Sequence, residues 1–87
     1  MFDEATELAD AIRATIDPGL VGDYRPLVSL HSHGDGWAAV VMVGDGPRAE
    51  YAETPDDGAP TGVAALRALL ATVQQPKVAA RLRRGRW

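Results

Sequence analysis

Two glycine–aspartate clusters, Gly34-Asp35-Gly36 and Gly44-Asp45-Gly46-Pro47, bracket the longest apolar run of the sequence, Trp37 to Val43. Glycine reaches the backbone angles that tight reversals demand, and aspartate bonds back to its own turn. An apolar run closed at both ends by such turns reads as a strand that must reverse on either side. The spacing therefore predicts an antiparallel meander of three strands, Leu27 to His33, Trp37 to Val43 and Arg48 to Glu53. The apolar run is far shorter than the ~20 residues that cross a bilayer, so no membrane span is expected.

Helical patterns flank the meander. Asp3 is a suitable N-cap, Glu4, Glu7 and Asp10 favour the positive end of a helix, and Ala5, Leu8, Ile12 and Ile16 form an apolar stripe. Residues 3–16 are thus a helix, stopped by Asp17-Pro18-Gly19. Thr54 to Pro60 is rich in turn residues and reads as a loop, with Asp56-Asp57 as solvated carboxylates. Thr61 caps a second helix with a buried stripe of Val63, Leu66, Leu69, Leu70 and Val73. Pro76 kinks or restarts it, Lys77 to Arg84 forms a short last helix, and Gly85-Arg86-Trp87 frays. The expected fold is α+β: a three-stranded antiparallel β-meander with two main α-helices on one face and a short C-terminal helix. At 87 residues the chain is one domain, residues 1–87, with a thin core.

Strand pairing assigns the faces. With Gly34-Asp35-Gly36 as a three-residue turn, His33 lies opposite Trp37, and a tight second turn sets Val43 opposite Arg48. Val28, Leu30, Ala38, Val40, Met42, Ala49 and Tyr51 then lie under the helices. Leu27, Ser29, His31, His33, Trp37, Ala39, Val41, Val43, Arg48 and Glu50 lie on the other face. The middle strand is apolar on both sides. Trp37, Val41 and Val43 would form an exposed patch rimmed by His31, His33, Arg48 and Glu50, a pattern that marks contact with another chain or a second copy. A turn one residue shorter or longer would swap the faces.

Signs of catalysis are thin. His31-Ser32-His33-Gly34-Asp35 reads H-x-H-x-D, similar to the first half of the metal motif of metallo-β-lactamase-fold hydrolases. The closing histidine is replaced by Gly36, and the chain has no further histidine and no cysteine. The absence of cysteine also excludes a disulfide framework and a thiol nucleophile. No nucleophile elbow, phosphate loop or dinucleotide loop is present. No cofactor and no enzyme activity are expected; a metal-dependent hydrolase on His31, His33 and Asp35 is the outlying alternative.

Charge is segregated along the chain. All 12 acids fall in residues 1–57, where three arginines leave a formal charge of −9, while residues 58–87 carry six bases and no acid. Such asymmetry points to an oppositely charged partner, or to the basic end folding back on the acidic body. The tail Arg81-Leu82-Arg83-Arg84-Gly85-Arg86-Trp87 could meet phosphates and stack on a base. The acidic remainder would repel them, so direct nucleic-acid binding is disfavoured. Asp3, Glu4, Glu7 and Asp10 on one helix, with Asp35 and Asp45 at the hairpin ends, could instead occupy a groove built for phosphates.

The opening Met1-Phe2-Asp3-Glu4-Ala5-Thr6-Glu7-Leu8 and the hairpin Ser29-Leu30-His31-Ser32-His33-Gly34-Asp35-Gly36-Trp37 resemble small anti-CRISPR proteins of phages and mobile elements, those acting on type I-C systems in particular. The resemblance is one of the whole chain and assigns no functional residue. It implies an inhibitor that binds the crRNA-guided surveillance complex and blocks target DNA from it. The expected partner is a protein or ribonucleoprotein with a basic surface, with a homodimer as a further expectation. The expected contact residues are Asp3, Glu4, Glu7, Asp10, His31, His33, Asp35, Trp37, Val41, Arg48 and Glu50. The acidic start Met1-Phe2-Asp3-Glu4 predicts no secretion leader, so the expected setting is cytoplasmic. A small phage-like assembly protein that self-associates through the open sheet face is the alternative.

Overall fold

The computed structural model describes residues 3–16, 26–55 and 58–85. Helix α1 spans Glu4–Ile16, β1 Leu27–His33, β2 Gly36–Val43, β3 Glu50–Glu53, α2 Gly62–Val73 and α3 Pro76–Leu82, and a 3-10 turn at Gly46–Arg48 joins β2 to β3. The strands form one antiparallel sheet in the order β1-β2-β3. The α+β plan expected from the sequence is the one observed. The Asp17-Pro18-Gly19 stop, the Asp56-Asp57 pair and Trp87 lie outside the described residues.

Each helix start has a local cause. The Asp3 carboxylate accepts the Thr6 N–H at 2.8 Å, and the Thr61 hydroxyl accepts the Ala64 N–H at 3.0 Å. Both bonds satisfy amides that have no partner within the helix. Pro76 opens α3 at a position where its missing N–H costs nothing, so it restarts the chain's helix rather than kinking it. The end of α1 is closed from a distance: the Arg83 guanidinium donates to Ile16 O at 2.6 Å and to Thr15 O at 3.1 Å. The Arg13 guanidinium donates to Pro26 O at 3.0 Å, fixing where the chain enters β1.

The strand register departs from the expected one. The first turn holds two residues, Gly34 and Asp35, with His33 opposite Gly36. Gly34 sits at φ 60°, the left-handed angle such short hairpins require. The second connection is longer than expected: Asp45 bonds the Gly46 N–H, the 3-10 turn follows, and Val43 lies opposite Glu50. The shorter first turn turns β2 over relative to β1. Val41 and Val43 therefore point at the helices and Val40 and Met42 away from them, the reverse of the expectation.

The core lies between one sheet face and the three helices. Ile12 and Ile16 of α1, Ala65, Leu66, Leu69 and Val73 of α2 and Leu82 of α3 pack with Ala39, Val41, Val43 and Ala52 of the sheet. Among the described residues, the Thr54 side chain is the polar one buried with them. The Thr54 hydroxyl lies 2.9 Å from Ala65 O and 3.3 Å from Ala39 O and accepts the Ala39 N–H at 2.8 Å. It ties β2 to α2 just where β3 ends. Beyond it the chain returns to β2 as a single bridge, with Trp37 and Ala59 exchanging both backbone bonds at 2.7 Å. That approach demands Gly36, because a Cβ there would sit 2.5 Å from Ala59 O.

Thr54→Val should lower stability by about 1–3 kcal/mol, the cost of leaving buried backbone groups unpaired. Urea unfolding should show an earlier midpoint with an unchanged slope, and Thr54→Ser should recover most of the loss. An unshifted midpoint in Thr54→Val would show that the hydroxyl contributes nothing.

Candidate binding surface

The register decides which side chains remain outside. Across the uncovered face run three rows: Leu27–Met42–Tyr51, Ser29–Val40–Glu53 and His31–Ala38. Tyr51 is 60% exposed and Leu27 56%, whereas Ala38 is buried among its neighbours. The first row is therefore an apolar band across all three strands, and Glu53 and His31 are exposed beside it. The Ser29 hydroxyl and His31 Nε2 share a 3.0 Å hydrogen bond along β1.

This is not the patch expected from the sequence. Val41 is fully buried and Val43 nearly so, both against the helices, so neither can meet a partner. Trp37, half-exposed, lies opposite Ser32 at the hairpin end, on the helix side of the sheet. Glu50 is on that side too, opposite Val43, with its carboxylate 3.6 Å from the Arg81 guanidinium. Arg48 is exposed in the 3-10 turn, and Asp35 is exposed at the β1–β2 tip. Of the expected sheet patch, His31 and the His33 backbone position share the open face; the apolar part moves to Leu27, Met42 and Tyr51. The signal was present in His33-Gly34-Asp35-Gly36, since a Gly-Asp pair is a two-residue hairpin turn. The three-residue reading took Gly36 into the turn and inverted β2.

The three acids of α1 and its N-cap Asp3 are all exposed, but three of the four have partners within the chain. Asp3 is the N-cap, Glu4 pairs with Arg67 of α2, and Asp10 lies 3.0 Å from Arg13. Glu7 is the acid of this helix with no side-chain bond among those described. The hydrogen bonds from Thr6, the backbone one first, hold the Asp3 carboxyl below its ordinary range.

The basic end of the chain also turns inward. Arg67 meets Glu4, Arg81 meets Glu50 and Tyr51 O, and Arg83 closes the end of α1. Arg84 has a partner as well. The charge asymmetry of the sequence is thus used in part to dock α2 and α3 against α1 and β3. Exposed pairs of this kind each contribute little, and their value here is orientation.

Among the described residues no group of three or more His, Cys, Asp or Glu is placed to hold a metal ion, and no helix is long and apolar enough to cross a membrane.

The lowered Asp3 titration has a signed consequence. Its capping contribution is present in full above the ordinary aspartate range and is lost as pH falls through the depressed folded value. Asp3→Ala should therefore unfold at lower urea than the parent at neutral pH, and the gap should close on acidification. Asp3→Asn should stay close to the parent at neutral pH. A gap that is constant from neutral to strongly acidic solution would contradict the cap. Neither family models, curated proteins nor solved structures show a match to this chain.

Proposed function

We propose that the chain acts by binding another macromolecule, as a non-catalytic inhibitor of a nucleic-acid-handling complex with a basic surface. The target class suggested by the resemblance of its sequence to anti-CRISPR proteins is the crRNA-guided surveillance complex, kept from its target DNA by an occupied groove. The observation that carries the reading is the apolar band Leu27–Met42–Tyr51 on the uncovered sheet face, with exposed Glu53 beside it. A domain with so thin a core gains from burying every apolar side chain it can, yet this row is left outside. Covering a few hundred Å² of such surface is worth several kcal/mol at ~25 cal/mol per Å², before the costs of association.

Charge supplies the direction of approach. The net charge is −3, and Glu7, Asp35, Asp45 and Glu53 are all exposed. Carboxylates on a surface are drawn to arginine- and lysine-lined channels at long range, which raises the association rate more than the affinity. The apolar band then holds what the charges have steered.

The test separates these two parts. Purified chain should bind an isolated type I-C surveillance complex and prevent it from capturing target duplex. Leu27→Ser with Tyr51→Ser should speed dissociation by about 10-fold or more, as loss of central apolar anchors does. Glu7→Lys with Glu53→Lys should slow association and flatten its salt dependence, with the circular dichroism of the parent. Glu4 is left in place because its reversal would set a lysine against Arg67. A parent chain that leaves DNA capture untouched would end the inhibitor reading. Equal dissociation of parent and Leu27/Tyr51 variant would remove the sheet face from it.

A further inference from the structure

We propose that the outer edge of β1 is a homodimer interface, where two copies pair antiparallel about a two-fold axis through Leu30 and join their sheets. The backbone of β2 fixes which groups that edge presents. Trp37 spends both backbone bonds on Ala59, and Ala39 spends its own on Thr54, on the side away from β1. The β2 residues that bond β1 are therefore Gly36, Ala38, Val40 and Met42, opposite His33, His31, Ser29 and Leu27. Val28, Leu30 and Ser32 are left with their N–H and C=O groups turned outward. Among the described residues no backbone partner meets them.

The two free edges of the sheet are treated differently. At β3 the Arg81 guanidinium donates to Tyr51 O at 2.8 Å and lies beside Glu50, and Glu53 ends the strand. A short edge carrying charge and a capped carbonyl resists pairing. β1, seven residues long, holds no Lys, Arg, Asp, Glu or Pro. Nothing in its own residues blocks another strand.

The edge is also complementary to itself. With the axis at Leu30, Val28 faces Ser32 of the second copy, Ser29 faces His31 and Leu27 faces His33. Every outward N–H and C=O of Val28, Leu30 and Ser32 then finds a partner, and no carboxylate or ammonium group is opposed. Leu30 is 40% exposed and rims a groove of about 230 Å³ between α1 and β1, lined by Ala5, Thr6, Ala9, Val28 and Leu66. The small side chains of α1 leave room there for Leu30 of the second copy. Glu4 and Asp10 of α1 already have Arg67 and Arg13 as partners. Strand pairing alone covers less than the ~800 Å² per partner of a stable complex, so the groove must contribute and the dimer is a weak one. This interface uses the strand's edge and not the sheet's open face, so it and the inhibitor reading can fail separately.

Sedimentation equilibrium of the full chain over a wide concentration range tests it. The parent should pass from monomer to dimer and no further. Leu30→Lys sets two cations at the axis and should weaken the dimer by about 10-fold or more. Ser32→Pro removes an outward N–H without touching the bonds to β2, and should act in the same direction with an unchanged circular dichroism spectrum. Amide exchange of Val28, Leu30 and Ser32 should slow as concentration rises. The proposal is overturned by a parent that stays monomeric, by dimers that survive both substitutions undiminished, or by assemblies larger than two. It is also overturned by slow exchange of those amides independent of concentration, which would assign the edge's cover to the chain itself.

Discussion

The two-residue turn at Gly34 and Asp35 sets the phase of β2, and the rest of the molecule is arranged around that phase. Once β2 follows β1 with His33 against Gly36, Ala39, Val41 and Val43 must face one side of the sheet. They meet there the stripe of α2 that runs through Leu66, Leu69 and Val73, and Ile12 and Ile16 of α1 complete the layer. The same phase sends the polar groups of Ala39 toward Thr54, whose hydroxyl reaches on to α2. It also sends Met42 outward to lie between Leu27 and Tyr51. Core, polar link and uncovered apolar band are three results of one choice of register.

Charge plays a second, weaker role. The bases gathered late in the sequence turn inward at three places, to the early acids Glu4 and Glu50 and to the backbone at the end of α1. Two of these are exposed pairs whose energies are small. The third is a guanidinium on carbonyls of the last turn of α1, where a positive charge is also favoured by the helix dipole. Among the described residues, the exposed acids left for an outside partner are Glu7, Asp35, Asp45 and Glu53.

The fold was legible because its punctuation is chemical. Asp3, Thr61 and Pro76 start helices by supplying or forgoing hydrogen bonds, and each does so where the sequence indicated. The glycine clusters marked both reversals of the meander. The faces were not legible, and the reason is Trp37 to Val43: with apolar residues at nearly every position, the strand's alternation has no phase of its own. Phase then passes to the turn, where one residue decides everything. Val41 was for that reason expected at the surface and is found at the centre. The role of Thr54 had no signal either, since it looked like one more polar residue in a loop. The inward destination of Arg83 depends on how α3 packs against α1, which residue spacing alone does not express.

Arg83 bonds Ile16 and Thr15 across 67 and 68 positions of sequence. A ribosome delivers residues in order, so α1 is made while the group that completes its last turn is still unsynthesised. Those two bonds must wait through the emergence of the whole sheet and of α2. Contacts of such long sequence separation close late and slow the search for the native state. In the nascent chain the bonds from Arg83 to α1 should accordingly form only after α3 clears the exit tunnel.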